Sequence, residues 1–69
     1  MQKYIHKKTG KLYRLLTDNL MIKEEYKGWK GGLVLYKALY PNPDAKFFAR
    51  TPEDFFSNFE KAGEDETEN

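Results

Sequence analysis

Arg50 is the residue whose surroundings most clearly indicate binding chemistry. It lies in the stretch FFARTPEDFF (residues 47–56), after an aromatic pair and just before a helix-start signal. A guanidinium group binds a carboxylate or phosphate through paired hydrogen bonds, and the N–H groups at a helix start favour the same ligands. Arg50 is therefore a candidate anion-binding residue. The alternative is that it pairs with Asp54, Glu53 or residues 63–69, or stacks on a tyrosine.

Trp29 offers a second kind of binding chemistry. It lies between Lys27 and Lys30 in the glycine-rich stretch YKGWKGG (residues 26–32). An exposed indole ring can stack on a nucleic-acid base while neighbouring lysines contact phosphates. The alternative is that Trp29 folds back onto a sheet edge. Tyr36 is a further candidate for ligand contact, although packing in the core is the expected role of the tyrosines.

Catalytic and metal chemistry find little support in the sequence. Ser57, the only serine, is expected to face solvent, which does not suit a catalytic triad. His6, the only histidine, has no obvious nucleophile or metal to serve, so we expect a surface or hydrogen-bonding role and keep it as a candidate ligand contact. The carboxylates of residues 63–69 could hold a cation only loosely. We therefore expect a protein that is not an enzyme and uses no cofactor or metal.

Charge is distributed unevenly along the chain. The net charge is +1, but residues 1–50 hold eleven Lys/Arg against four Asp/Glu, a balance of +7. Residues 51–69 hold one lysine against seven acidic residues, a balance of −6. This asymmetry predicts a basic surface with an acidic tail that covers it or keeps it soluble. The alternative is a solvated tail beside an ordinary lysine-rich surface.

The size of the chain limits the fold to one domain. A folded chain of 69 residues buries only about 60% of the surface that its unfolded form exposes, so we expect a small free energy of unfolding. Disulfides are excluded because there is no cysteine, and the core must come from eleven Phe, Tyr and Trp residues. No apolar run has the length of a signal peptide or a membrane span, so we expect a soluble, cytoplasmic protein without membrane contact.

Short apolar stretches separated by turn residues predict a mainly β chain, although Leu12, Leu16 and Leu20 could also lie along a helix. Short turns are expected at Gly10 and at PNPD, since both have the residue types that turns require. The predicted strands lie near residues 3–7, 11–23, 33–40 and 45–50, with an exposed loop over residues 26–32.

A helix is predicted after the last of these strands. Thr51 is a good N-cap and Pro52 suits the first helical position. Phe55 and Phe59 share one helical face, which would lie on the sheet. Gly63 is expected to end the helix.

These elements predict the α+β class, mainly β. We expect a small SH3-like antiparallel barrel or a curled sheet of about four strands, with one C-terminal helix covering the open face. The domain should span residues 1–62, and residues 63–69 should form a disordered acidic tail.

The blocks YIH, GKLYRLL, LVLYKALY and FFAR followed by EDFF resemble a family of short bacterial and phage proteins called domain of unknown function 1653. The proline expected directly after the arginine comes one residue later, and the stretch EEYKGWKGG is longer than the family pattern. The resemblance implies a fold and a bacterial or phage origin but no reaction. The matching residues are Tyr4, His6, Gly10, Tyr13, Val34, Tyr36, Leu39, Tyr40, Phe48, Arg50 and Phe55.

The sequence thus predicts a non-enzymatic binding domain whose partner is an anionic ligand, either a nucleotide or nucleic acid. The alternative is a protein-interaction module or regulator that binds a bacterial host protein through a sheet edge or the Trp29 loop. A homodimer could use the same surface. The residues expected to contact a ligand are Arg50, His6, Trp29, Lys27, Lys30 and Tyr36.

Overall fold

The structure, a computed structural model, describes the backbone of residues 2–64 and the side chains of residues 2–62. Five strands and one helix follow one another along the chain. They are β1 (Gln2–His6), β2 (Leu12–Glu24), β3 (Gly28–Ala38), β4 (Phe47–Arg50), α1 (Pro52–Asn58) and β5 (Phe59–Glu64).

All five strands belong to one antiparallel sheet in the order β4-β3-β2-β1-β5. Within residues 2–64, β4 and β5 are the two edges of this sheet, so it is open. The predicted mainly β class is confirmed. Of the two predicted forms, the open sheet is observed and the closed SH3-like barrel is not.

The helix begins as predicted but ends early. The Thr51 side chain accepts a hydrogen bond from the Asp54 N–H at 3.2 Å, which caps the first turn. At the other end, the Asn58 side chain donates to the Asp54 carbonyl at 2.8 Å, and Phe59 is extended, with φ −126° and ψ 150°. The predicted helix end at Gly63 is therefore wrong. The chain turns instead into β5, because the free edge of β1 offers it hydrogen-bonding partners.

Residues 63 and 64, expected in the disordered tail, are the last two residues of β5. Glu64 pairs with Gln2 at the start of β1. The rest of the predicted tail lies outside the described residues.

The predicted loop over residues 26–32 is also wrong. Strand β3 already begins at Gly28, and Trp29 pairs with Lys23 of β2. The turn is confined to three residues because Tyr26 and Gly28 take positive φ angles of 71° and 82°. A left-handed tyrosine is uncommon, and this is why the sequence did not indicate so short a turn.

Aromatic rings form the core on the face of the sheet that α1 covers. Phe55 from the helix and Phe59 from β5 stack with 4.3 Å between ring centroids. Burial of each such ring contributes roughly 1.5–3 kcal/mol to the stability of the fold. The buried cluster consists of Tyr4, Val34, Tyr36, Phe55 and Phe59, and Tyr13, Leu15 and Phe48 pack against it.

Strands β2 and β3 extend beyond the rest of the sheet. β1 pairs with β2 only along residues 12–14, and β4 pairs with β3 only along residues 34–37. Residues 17–33, here called the ribbon, therefore form a two-stranded hairpin, and the molecule measures 43 × 24 × 23 Å. No helix within residues 2–64 has the length and apolar character needed to cross a membrane.

Candidate functional site

Arg50 lies on β4 at the border between the sheet and α1. Its Nε donates a hydrogen bond to the Tyr36 hydroxyl at 2.7 Å, and its Nη1 contacts Asp54 Oδ1 at 3.2 Å. The guanidinium carbon lies 5.3 Å from the centre of the Phe59 ring. The alternative interpretation, pairing with Asp54 and contact with a tyrosine, is thus what the structure contains.

These contacts explain the electrostatics of Arg50. Burial, the largest influence, lowers the pKa of Arg50, but the hydrogen bond and charge of Tyr36 and of Asp54 outweigh it and raise the pKa overall. The ion pair itself adds little, since the Asp54 side chain is 51% exposed and such pairs contribute about 0–1 kcal/mol. The Arg50 side chain is 29% exposed, and its Nη2 makes no hydrogen bond within residues 2–64. Ligand binding by Arg50 stays a prediction that rests on this one nitrogen.

His6 and Tyr36 lie close to Arg50 around the same ring. The His6 ring contacts Phe59 edge to face at 4.8 Å, and its Nδ1 is 3.2 Å from the Thr9 hydroxyl. Tyr36 is 4% exposed and therefore packs in the core. No pocket is found among the described residues around this cluster. The structure brings three of the six predicted site residues together, but as part of the packing that holds α1 to the sheet.

The other three predicted site residues lie on the ribbon. Trp29 is 65% exposed and does not fold back onto the sheet. Trp29 lies five residues along β3 from Val34, and Val34 is the strand partner of Arg50. The backbone positions of Trp29 and Arg50 are therefore about 16 Å apart. Lys30 follows on the same strand and Lys27 lies in the turn. The six residues therefore do not form one site.

The ribbon also has no net positive charge, although a positive charge near Trp29 was the reason to predict an anion-binding site there. Its residues 17–33 carry three lysines and three acidic residues, so the whole +7 of residues 1–50 lies elsewhere. The balanced charges are those of Lys23, Lys27 and Lys30 against Asp18, Glu24 and Glu25.

A line of cations that the sequence did not reveal crosses the body of the sheet. Lys3 of β1 lies opposite Arg14 of β2, and Arg14 lies opposite Lys37 of β3. Phe47 of β4 continues the same line next to Lys37. Neighbouring strands are about 4.8 Å apart, so the three charged residues lie side by side. We call Lys3, Arg14 and Lys37 the cation row.

The cation row belongs to the face of the sheet opposite α1. Side chains alternate along a strand, and the chain neighbours Tyr4, Tyr13 and Tyr36 all contact the aromatic core. No helix of residues 2–64 covers this face, which we call the open face. On it, Lys3, Arg14 and Lys37 are half-buried and Phe47 is 53% exposed.

Each member of the row is the chain neighbour of a core tyrosine, in Lys3-Tyr4, Tyr13-Arg14 and Tyr36-Lys37. This pattern is visible in the sequence. It becomes a row only once the strand register is known, and the register between β2 and β3 contains irregularities that a sequence does not reveal.

A second tyrosine cluster is structural. The hydroxyls of Tyr13 and Tyr40 share a hydrogen bond, and the Asn42 amide donates to Tyr40 at 2.8 Å. Burial and the hydrogen bond with Tyr40 raise the pKa of Tyr13 to about 12. Tyr13 therefore stays protonated near neutral pH and serves to join β2 to the turn before β4.

No family model, curated protein or solved structure matches the chain. The resemblance to domain of unknown function 1653 stays a prediction. The chain forms a two-layer domain of sheet and helix, with an aromatic core on one face of the sheet and the cation row on the other.

Proposed function

We propose that this protein is a non-enzymatic domain that binds single-stranded nucleic acid on the open face of its sheet. The observation that supports the proposal is the cation row, which places three positive side chains in register and ends at the exposed ring of Phe47. The row spans two gaps between strands, or about 10 Å. A linear array of that length suits successive phosphates of a polymer better than one isolated phosphate.

The chemistry of the open face suits such a ligand. Lysine and arginine neutralise phosphates, and an exposed aromatic ring stacks on a base without requiring a particular sequence. Phe47 is adjacent to Lys37 across the strands and follows Lys46 along the chain, so the ring lies among cations. Sheet faces that carry aromatic rings bind unpaired bases in known RNA-binding modules.

The proposal is tested by titrating labelled DNA and RNA single strands of about 12 nucleotides with the protein and following fluorescence anisotropy. Three phosphate contacts predict a slope of about −2 for log K against log salt, or roughly 20-fold weaker binding at 200 mM than at 50 mM salt. The triple variant Lys3→Gln, Arg14→Gln and Lys37→Gln should lose most of the affinity and most of the salt dependence.

The ribbon provides a control with a matched change in charge. Replacing Lys23, Lys27 and Lys30 with glutamine also removes three positive charges and should leave both affinity and slope nearly unchanged. Equal losses in the two triple variants would mean that only overall charge matters. Absence of binding by the wild-type protein at low salt would refute the proposal.

A cytoplasmic location in a bacterium, with a bacterial or phage gene, belongs to the same proposal.

A second candidate function is supported by the ribbon. Its net charge is zero, and Trp29 and Tyr26 are 65% and 97% exposed. Met21 and Ile22 add exposed apolar surface at 54% and 39%. Tryptophan and tyrosine are the residues that most often contribute binding energy at protein interfaces. We propose on this basis that the ribbon inserts into a groove of a bacterial host protein.

The two candidates differ in their response to salt. Capture of a host protein by the ribbon should survive high salt and fail with Trp29→Ala. Oligonucleotide binding should instead be lost at high salt and be retained in Trp29→Ala. A homodimer formed through the ribbon would be detected as a molar mass that rises with concentration and falls back to that of the monomer with Trp29→Ala. No captured protein would count against this second candidate.

A further inference from the structure

We propose that two copies of this chain pair through the free edge of β4 and form one antiparallel sheet across a two-fold axis at Ala49. The inference goes beyond the proposed function and does not rest on it, because pairing at an edge leaves both faces of the sheet uncovered. Three observations support it: the backbone groups that β4 leaves unpaired, the weak protection of this edge, and the residues that the axis places opposite one another.

The free edge of β4 offers backbone groups at alternate residues. In an antiparallel pair, every second residue directs its N–H and C=O groups to the partner strand, and the residues between them direct theirs outward. The Ala38 N–H donates to the Lys46 carbonyl at 2.9 Å, so Lys46 is one of the residues bonded to β3. The same alternation directs the groups of Phe47 and Ala49 away from β3. Within residues 2–64 no strand pairs with this side of β4, so these groups can bond an added strand.

This edge is less protected against pairing than the other edge of the sheet, which is β5. Charged side chains, bulges and proline protect the edges of natural sheets. β5 carries Glu60, Lys61 and Glu64 among its six residues, and its register with β1 shifts once. β4 pairs with β3 in an unbroken register, and three of its four residues are apolar. An added strand therefore meets fewer obstacles at β4 than at β5.

Charge selects the position of the two-fold axis. Residues directly opposite one another in a sheet lie on the same face, so the axis passes through a residue rather than between two. An axis at Phe48 would place Lys46 opposite Arg50 twice, and like charges in that position destabilise a sheet. An axis at Ala49 places the ring of Phe48 opposite the guanidinium group of Arg50, and such groups attract each other. The arrangement centred on Ala49 is therefore the favoured one.

Arg50 has the exposure that this contact needs. Its side chain is 29% exposed, and its bonds to Tyr36 and Asp54 use Nε and Nη1. The Nη2 end of the guanidinium group can therefore lie against a ring of the second copy. The aromatic and cationic residues that the stretch FFAR combines would then contact each other between two molecules.

The dimer should be weak. Residues 47–51 of each copy would pair, which is far less surface than a standard protein interface buries, and we expect a Kd on the order of 100 μM. Sedimentation equilibrium without nucleic acid should show a molar mass that rises toward that of a dimer between about 10 μM and about 1 mM. A mass that rises beyond the dimer would overturn the inference, because it would indicate pairing that does not close, such as β4 with β5 of the next copy.

Substitution of Ala49 tests the position of the axis. Ala49 is exposed, so its replacement should leave the fold intact, which far-UV circular dichroism checks. Ala49→Lys and Ala49→Glu each place two like charges opposite one another and should each be monomeric. An equimolar mixture of the two variants should dimerise, because opposite charges then meet at the axis. Ser57→Lys and Ser57→Glu are the matched controls, since Ser57 is exposed on α1, and each should dimerise like the wild type.

Hydrogen exchange of the wild-type protein is a second readout that needs no substitution. The amides of Phe47 and Ala49 should exchange more slowly as the protein concentration rises. The amides of Phe48 and Arg50, which point to β3, should not change. A protein that stays monomeric throughout, or a dimer that persists in both Ala49 variants, would overturn the inference. A dimer protected only along the ribbon and lost with Trp29→Ala would also overturn it. None of these outcomes depends on nucleic acid, so they are distinct from failure of the proposed function.

Discussion

Replacement of Phe59 by alanine is the substitution to which the fold should respond most strongly. Phe59 is 3% exposed and stacks on Phe55 at 4.3 Å. The rings of Tyr13 and Tyr36 lie 5.3 and 5.2 Å from its centre. It is thus the point at which β5, the helix and the two central strands meet.

The expected loss is large compared with the total stability. Truncation of a buried phenylalanine to alanine costs about 3–5 kcal/mol. A domain of 69 residues at the usual stability per residue unfolds with roughly 3–10 kcal/mol. Phe59→Ala should therefore leave a large fraction of the chain unfolded under conditions in which the wild-type protein is folded.

Urea unfolding followed by far-UV circular dichroism measures this loss. Fluorescence of Trp29 is a poorer reporter, because the ring is already 65% exposed in the folded chain. Phe56→Ala is the matched control, since Phe56 is 47% exposed, and we expect it to cost at most about 1 kcal/mol. Equal losses in the two variants would refute the reasoning, because they would mean that Phe59 is not the centre of the core.

Three further predictions follow from other contacts. The pKa of Tyr13 is raised from 10.0 to about 12, so its stabilising effect is complete below pH 10 and is lost as pH rises through 12; urea unfolding should show a weaker alkaline loss in Tyr13→Phe. Arg50→Lys breaks the bonds to Tyr36 and Asp54 and should lower the free energy of unfolding by about 1–2 kcal/mol without changing oligonucleotide affinity. Phe47→Ala should weaken oligonucleotide binding by roughly fivefold to 100-fold in anisotropy titrations and leave the urea midpoint unchanged, since the ring is 53% exposed.

Local signals in the sequence were sufficient for much of the fold. The N-cap at Thr51 and the helix start at Pro52 depend only on adjacent residues, and both were predicted. The helix end was not, because the spacing of Phe55 and Phe59 suits a continuing helix as well as a helix followed by a strand. The choice between them depends on the free edge of β1, which is more than fifty residues away along the chain. Non-local pairing of this kind is invisible to periodicity.

The candidate site likewise has one feature that depends on adjacent residues and one that depends on the pairing of distant strands. The local context of Arg50 predicts an anion-binding residue, whereas in the structure its contacts with Tyr36 and Phe59 hold the helix to the sheet. The cation row, by contrast, joins residues from three strands, and the register between two of them, β2 and β3, contains bulges. The pairing of Lys3 with Arg14 follows from the regular hairpin at Gly10, whereas the pairing of Arg14 with Lys37 does not follow from spacing. Charge balance predicted that a basic surface exists, and only the fold indicates where it lies.

The most direct test of the central claim is an NMR titration of the labelled protein with a single-stranded oligonucleotide at low salt. If the open face of the sheet is the binding surface, the signals of Lys3, Arg14, Lys37 and Phe47 will move first and furthest. Movement centred on Trp29 and the ribbon, or no movement at any residue, would contradict it.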